Sequence, residues 1–354
     1  MAEKFEYLYF NDVDLNDSFF DSLKDDYGEF SNWFCKKIEN EEKAFVLKDD
    51  SGIAAFLYLK DENEEIVLTN SILPKMNRIK IGTLKLSERI QKQRLGEGAI
   101  GISLWNWQKS NAEEIYVTIF EKHNDLISLF EKFGFVCKGY NRRGEKVYSR
   151  SKNEIDYSTP YTCFPYIKND FTNAGLLPIE EVFHDKLFPY SELYRNGIEV
   201  DSVVAGNGIS KVYVATPYSN TVYKKGMPVF VYRIFGGEGK MYKSVVTSYC
   251  TITSIDVVKE NGRALMSEEE YLQKIGNKSV FNKSDLEYYY LRENLVVIGL
   301  VYNGYFGKGH NINCKKLKEN GFFNAHPYKT VYNREEFKEI LKLGDVDVQN
   351  TLID

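Results

Sequence analysis

Two hydrophobic periods alternate along the chain, and the place where one gives way to the other divides it. Residues 5–10 (Phe-Glu-Tyr-Leu-Tyr-Phe) predict a first strand. Phe19 and Leu23, then Phe30, Trp33, Phe34 and Ile38, fall at helical spacing, with Ser31 as an N-cap for the second of these helices. Residues 44–47 and 53–59 predict a hairpin around Asp49-Asp50-Ser51-Gly52. From Arg78 to Tyr148 the pattern becomes strand, glycine turn, helix, strand, helix. Residues 79–86 are extended and apolar, and Gln93-Arg94-Leu95-Gly96-Glu97-Gly98 forms the turn. Ile100, Leu104 and Trp107 continue in helical period. Residues 115–120 form the next strand, and Leu126, Leu129, Phe130 and Phe133 line one face of a helix that stops at Gly134. Residues 136–140 and 146–149 predict a closing hairpin about Asn141-Arg142-Arg143-Gly144.

The polar stretch 149–158 marks a boundary. Residues 159–195 are rich in proline and aromatics, with Pro160, Pro165, Pro178 and Pro189. That much apolar surface predicts a connector packed between two domains rather than a loose tether. From about Ile198 the pattern is mostly short strands (211–216, 228–234, 242–255 and 295–302), with helical segments at 267–275, 283–292 and 333–343. This spacing predicts a small barrel decorated by helices. The expected divisions are therefore 1–150, 151–197 and 198–354, in an α+β chain.

A glycine turn entering a helix exposes backbone N–H groups at the positive end of the helix dipole, where an anion binds. With its strand order, this turn resembles the phosphate loop Gln/Arg-x-x-Gly-x-Gly/Ala of the GNAT superfamily of acyl-CoA-dependent N-acetyltransferases: Gln93, Gly96 and Gly98 fill it. The segment Leu-Ile-Ser-Leu-Phe-Glu-Lys-Phe-Gly-Phe (126–135) matches the Gly-Phe pair that ends the family's next helix. The resemblance covers residues 1–150. It implies a mixed central sheet flanked by helices, with two central strands splayed around the thioester of acetyl-CoA. Leu84 and Leu86 would present backbone groups to the pantetheine arm. Gln93, Arg94, Leu95, Gly96, Gly98 and Ala99 would hold the pyrophosphate, with Arg94 and Lys92 adding charge. The family's Asn at the start of the next helix aligns with His123, and Asn124 follows one residue later. The family's general-acid Tyr falls at Phe130, which has no proton to give. Tyr116, as replacement acid, and Glu88, as base, are the catalytic candidates.

The later strands, Lys-Lys-Gly-Met-Pro-Val-Phe-Val-Tyr-Arg-Ile (224–234) and the run 244–255, resemble the PUA-like barrels, including the ASCH and EVE groups. That resemblance implies RNA contact. Lys224 and Lys225, with Tyr223 and Tyr232 interleaved, are the candidate residues, and Arg233, Lys240, Lys243 and Tyr242 add to them.

Composition narrows the class. The chain has 354 residues and a net charge of −5, which excludes a generally basic polynucleotide binder but leaves room for a local basic patch. Tyrosine (26) and phenylalanine (23) predict aromatic cores. Five cysteines without a CxxC pair predict reduced thiols in a cytoplasmic protein, with Cys35 and Cys137 buried. The N-terminus does not read as a signal peptide, and no apolar run is long enough to span a bilayer. His184 reads as a packing residue; His310 and Cys314 make no metal-ligand set, so no metal is expected. Three readings stand: an N-acetyltransferase for RNA or an RNA-linked amine, a nucleic-acid binder with a CoA-binding but weakly active first domain, and an acetyltransferase for a protein or small amine.

Overall fold

The computed structural model describes residues 5–90, 93–191, 204–217, 222–323 and 325–354. The chain divides into two compact units, Met1–Ile155 and Asp156–Asp354.

In the first unit the elements run β1 (Glu6–Tyr9), α1 (Asp21–Asp26), α2 (Phe30–Glu39), β2 (Lys43–Asp49), β3 (Gly52–Val67), β4 (Ile72–Leu86), α3 (Leu95–Lys109), β5 (Glu114–Ile119), α4 (Asn124–Lys132), β6 (Val136–Tyr140) and β7 (Lys146–Ser151). Seven strands form one mixed sheet in the order β1-β2-β3-β4-β5-β7-β6. Among the described residues its single parallel pair is β4 with β5. Helices α1 and α2 cover one face through an aromatic cluster of Phe10, Phe20, Phe30, Phe34 and Phe56, whose edge-on contacts include Phe10 to Phe34 at 4.9 Å.

The β3–β4 hairpin is longer than the sequence pattern suggests. The strands expected at 53–59 and 79–86 both run on, and Lys60-Asp61-Glu62-Asn63-Glu64 pairs with residues 76–80 of β4. Past the point where β5 begins, this ribbon arches back across the sheet. Leu68 bridges Asn141 of the β6–β7 turn and packs with Tyr116 and Val147.

In the second unit the order is α5 (Pro160–Cys163), β8 (Ile167–Lys168), β9 (Ala174–Glu180), α6 (Glu181–Leu187), α7 (Val204–Asn207), β10 (Ser210–Ala215), β11 (Pro228–Ile234), α8 (Lys240–Lys243), β12 (Val245–Glu260), β13 (Arg263–Ala264), α9 (Glu268–Ile275), α10 (Lys283–Tyr290), β14 (Leu295–Tyr305), β15 (Ile312–Asn313), α11 (Cys314–Glu319), β16 (Val331–Tyr332), α12 (Arg334–Leu343) and β17 (Leu352–Ile353). The sheet path is β10-β14-β12-β11-β9-β16, with β13 and β15 attached to β12. The expected barrel does not close: among the described residues nothing pairs β10 with β16. Helices cover the sheet instead. Phe337, Ile340 and Leu341 of α12 pack with Phe230 and Val246, while Tyr271 and Ile275 of α9 pack with Val212 and Val297.

Part of the expected connector is a strand of this sheet. β9 runs parallel to β11 over Val229↔Gly175 to Ile234↔Glu180. Pro178 is tolerated because β16 reaches only Ala174 and Gly175, so no ladder N–H is required of residue 178 on that side. Cys35 and Cys137 are exposed, against expectation. Cys35 lies on α2 away from buried Phe34 and Phe30, and Cys137 lies on the edge strand β6.

Candidate active site

Strands β4 and β5 are paired over only four positions, Arg78↔Glu114 to Ile81↔Val117. Beyond them the strands separate. β4 stays bonded to β3 as far as Leu86↔Ala55, and β5 stays bonded to β7 as far as Ile119↔Lys146. The divergence begins at a bulge. Tyr58 opposes Thr83 and Leu59 opposes Ile81, so Gly82 is the extra residue. A Cβ on Gly82 would come within 2.9 Å of the Tyr58 ring. The result is a crevice at the carboxyl end of the parallel pair, walled by residues 83–86 and 118–119. Among the described residues no strand covers the facing edges of these segments. Leu84 and Leu86 are on this wall, half-buried, as expected.

The closed end is fixed by charge. Arg78 is buried; its Nε meets Glu114 at 2.7 Å, and its other nitrogens donate to the carbonyls of Glu64 and Pro74 at 2.9 and 2.8 Å.

The turn before α3 lies at the open end. Arg94 is its N-cap in the left-handed conformation, with φ at 62°. Gly96 packs so closely that a Cβ would be 3.3 Å from Leu86 and 3.4 Å from Leu129. Leu95 and Gly96 occupy the first turn, where amides have no intrahelical acceptor. Gly98 and Ala99 correct the expectation. The Gly98 amide bonds to the Arg94 carbonyl at 3.1 Å, and both residues are buried inside the helix, so neither faces an anion. Leu95 likewise buries its side chain, leaving only its backbone for the site.

Arg94 also differs from expectation. Its guanidinium pairs with the buried carboxylate of Glu97, which Lys132 of α4 reaches from the other side at 3.0 Å. This charge cluster fixes the turn's shape. Gln93 is half-buried beside it, Asn124 is exposed at the first position of α4, and Lys92 lies outside the described residues.

Glu88 and Tyr116 are not brought together. Tyr116 pairs with Lys80 in the closed half, beneath the arching hairpin, and its hydroxyl bonds Glu62. Burial first, then the Glu62 carboxylate, raise its pKa well above the usual value, which makes it a poor proton donor. Glu88 is exposed on a 3-10 turn beyond the end of β4, on the order of 20 Å farther along the strand direction. Phe130 is wholly buried against Phe135, with ring centroids 4.9 Å apart.

The structure supplies another pair that the sequence pattern does not indicate. Glu145, buried in the β6–β7 turn beside Lys146, accepts from Tyr27 Oη at 3.0 Å and from Asn141 Nδ2 at 2.7 Å. The Tyr27 ring stands 6.1 Å from that of Phe120, which follows β5 at the crevice mouth. Exposed Asp26 binds Lys122 at 3.1 Å on the same rim. Tyr27 and Glu145 are 118 positions apart in the chain, so no local motif announces them.

In the second unit Tyr223 and Tyr232 are core residues, not stacking platforms. Tyr223 donates to the Leu176 carbonyl at 2.7 Å, and Tyr232 packs on Phe323. Both are about one-twentieth exposed because the apolar alternation that marks them as strand neighbours also points them inward. Arg233 is buried on Asp185, at 2.8 Å from Nε. Lys224 and Lys225 remain exposed on their turn. His184 is a buried packing residue, with its ring nitrogens at 2.8 Å from Asp185 and 2.7 Å from Thr247. Among the described residues no three His, Cys, Asp or Glu side chains are grouped to hold a metal, and no helix is long and apolar enough to cross a membrane.

No protein-family model and no curated protein sequence matches the chain. Solved structures do resemble parts of it. Ard1 from Thermoplasma volcanium shares 14% identity over 42% of this chain and 95% of that one, with a TM-score of 0.32. The PaiA N-acetyltransferase from Thermoplasma acidophilum, in complex with coenzyme A, shares 14% identity over 43% of this chain and 99% of that one, with a TM-score of 0.31. A mutant of ZmASCH from Zymomonas mobilis shares 10% identity over 48% of this chain and 94% of that one, with a TM-score of 0.30. At such identities and TM-scores these likenesses carry no weight in the functional argument, which rests on the crevice.

Proposed function

We propose that the first unit is an acyl-CoA-dependent N-acyltransferase of the GNAT type, with acetyl-CoA as donor. The observation that carries this reading is the separation of β4 from β5 after Ile81 and Val117, next to the glycine turn of α3. Uncovered strand edges bind extended chains that carry amides, by the same bonds that would add a strand. The pantetheine arm is such a chain, and Leu84 and Leu86 supply the edge. The first-turn amides of α3, Leu95 and Gly96, lie where the attached pyrophosphate would end. Arg94 acts by holding the turn through Glu97.

Transfer requires a neutral amine to attack the thioester carbonyl. A C–N bond forms, the C–S bond breaks, and the amine proton must leave as the thiolate departs. Glu145, poised at the mouth by Tyr27 and Asn141, is the group we assign to accept that proton. Phe130 favours one rival reading, a unit that binds acyl-CoA but turns it over slowly, because no hydroxyl stands at that position. Incubation with radiolabelled acetyl-CoA and separated protein, RNA and small-amine fractions tests both. Label in one acceptor fraction supports transfer; binding without label supports the rival; absence of binding refutes both.

A further inference from the structure

Glu145 stands on a turn at the edge of the sheet. β6 is the outermost strand there, and Val136, Cys137, Lys138 and Tyr140 on it are exposed. An edge hairpin opens easily, because half of its backbone groups face water. A proton acceptor has to stay within a fraction of an ångström of its working position. The β3–β4 ribbon supplies that restraint from a remote part of the chain.

The ribbon is itself tied down in two places. Arg78 donates to the carbonyls of Glu64 on β3 and Pro74 on β4, so one buried guanidinium holds both strands. Tyr116 of β5 bonds Glu62 through its hydroxyl, which gives that buried tyrosine a role without proton transfer. The tip then reaches the β6–β7 turn. The Thr69 amide donates to the Tyr140 carbonyl at 2.7 Å, and the Thr69 hydroxyl donates to the same oxygen at 3.1 Å. Leu68 bridges Asn141 and is buried on Tyr116 and Val147. Gly139 lies beneath it: its φ is 137°, and a Cβ there would already touch Leu68 at 3.4 Å. Val147 pairs with Thr118, so Leu68 occupies the face that carries Thr118 of the crevice wall.

Asn141 passes the restraint on. Its Nδ2 donates to the Glu145 carboxylate at 2.7 Å, and its Oδ1 accepts from the amides of Arg143 and Glu145 at 2.9 and 3.0 Å. Its backbone amide bonds the Glu145 carbonyl at 2.9 Å. One residue thus meets the ribbon with its backbone and the carboxylate with its side chain.

We propose that the tip of the β3–β4 ribbon is the positioning device of the transfer site: Leu68 and Thr69 fix Asn141, and Asn141 fixes the Glu145 carboxylate towards the acceptor amine. This rests on the acyltransferase reading, with Glu145 as proton acceptor. The test is a double-mutant cycle in the full-length protein, with radiolabelled acetyl-CoA and whichever of the protein, RNA or small-amine fractions takes up label. Leu68→Ala should lower kcat roughly 10- to 100-fold with the KM for acetyl-CoA unchanged. In a Glu145→Gln background the same substitution should change kcat less than about twofold, because the group it acts through is gone. Leu68→Met, which conserves volume, should restore most of kcat. Ile72→Ala, at a 59% exposed position of the same ribbon, should leave kcat unchanged. Amide exchange over residues 140–145 should quicken in Leu68→Ala. Unchanged exchange or kcat, an equal loss of kcat in both backgrounds, or a loss accompanied by a raised KM for acetyl-CoA would each overturn the assignment. If Leu68→Ala does not fold, Asn141→Ala, at a half-buried turn position, decides by the same comparison. Wild-type protein that transfers no label overturns the acyltransferase reading and this inference together; transfer insensitive to both Leu68 and Asn141 overturns this inference alone.

Discussion

Replacing Gly96 by Asp and, in parallel, by Asn isolates the charge at the start of α3. Both side chains place a Cβ 3.3 Å from Leu86 and 3.4 Å from Leu129, so both require those leucine methyls to yield by a few tenths of an ångström. The crowding costs about 1 kcal/mol, at the low end for overpacking because the neighbours are flexible side-chain ends. Removing a glycine from a helix returns a few tenths of that. The carboxylate gains a further ~0.3–1 kcal/mol from the helix dipole, so Gly96→Asp should melt at the same temperature as Gly96→Asn or slightly higher. Binding should move the other way. A carboxylate about 5 Å from a phosphate costs ~1–3 kcal/mol per unit charge across the dielectric range between water and a half-buried site. Coenzyme A should therefore bind the Asp variant roughly 5- to 150-fold more weakly than the Asn variant in calorimetry, and the gap should narrow as salt rises. A more stable variant with weaker binding is a signature that general disruption cannot produce. Equal affinities of the two variants would show that the first-turn amides do not hold the phosphates.

Glu114→Gln leaves the buried Arg78 guanidinium without its counter-charge and should cost about 3–5 kcal/mol in urea denaturation; a loss under about 1 would refute the clamp at the closed end. Glu145→Gln should lower kcat roughly 10²- to 10⁴-fold while leaving acetyl-CoA affinity unchanged, and an unchanged kcat would remove Glu145 as proton acceptor. Burial holds the His184 pKa below 6.5 against the opposing pull of Asp185, so the unfolded chain takes up that proton first as pH falls. Its contribution to stability is complete above about pH 6.5 and declines below it by up to ~1.4 kcal/mol per pH unit. His184→Gln should flatten that slope between about pH 6.5 and 5, and an identical slope would contradict the assignment.

The parallel unit is legible in the sequence because its signals are local. Residues 79–86, 115–120 and 126–133 carry their periodicity within a few positions, and the observed β4, β5 and α4 fall on them. The glycine turn is legible as a helix entry for the same reason, but its division of labour is not. Whether Gly96 or Gly98 faces outward depends on helix phase, and Arg94 is diverted by Glu97, a buried partner that charge counting treats as solvated. Glu145 gives no local signal because its partner Tyr27 is remote in sequence, and Tyr116 looks accessible because Ile66, Leu68 and Leu73, which pack against it, are remote too. In the second unit, strand positions come through while the fates of Tyr223 and Tyr232 do not. A tyrosine among lysines has the same pattern whether its ring packs inward, as these do, or stands open, as Tyr242 does.

The four-position seam between β4 and β5 also has a mechanical meaning. Apart from the single bridge of Leu68 to Asn141, it is among the described residues the only strand pairing that joins β1 to β4 with β5 to β7, and Arg78 bolts it at one end only. A ligand lying along the open edges would act as the missing rungs. Under the proposed function, occupancy would then add RT ln(1 + [L]/Kd) to the stability of the first unit, about 2.7 kcal/mol at a hundredfold excess over Kd. Amide exchange along residues 83–86 and 118–119 would slow with it. The cellular supply of acyl donor would thus govern how long each molecule stays folded, as well as how fast it works.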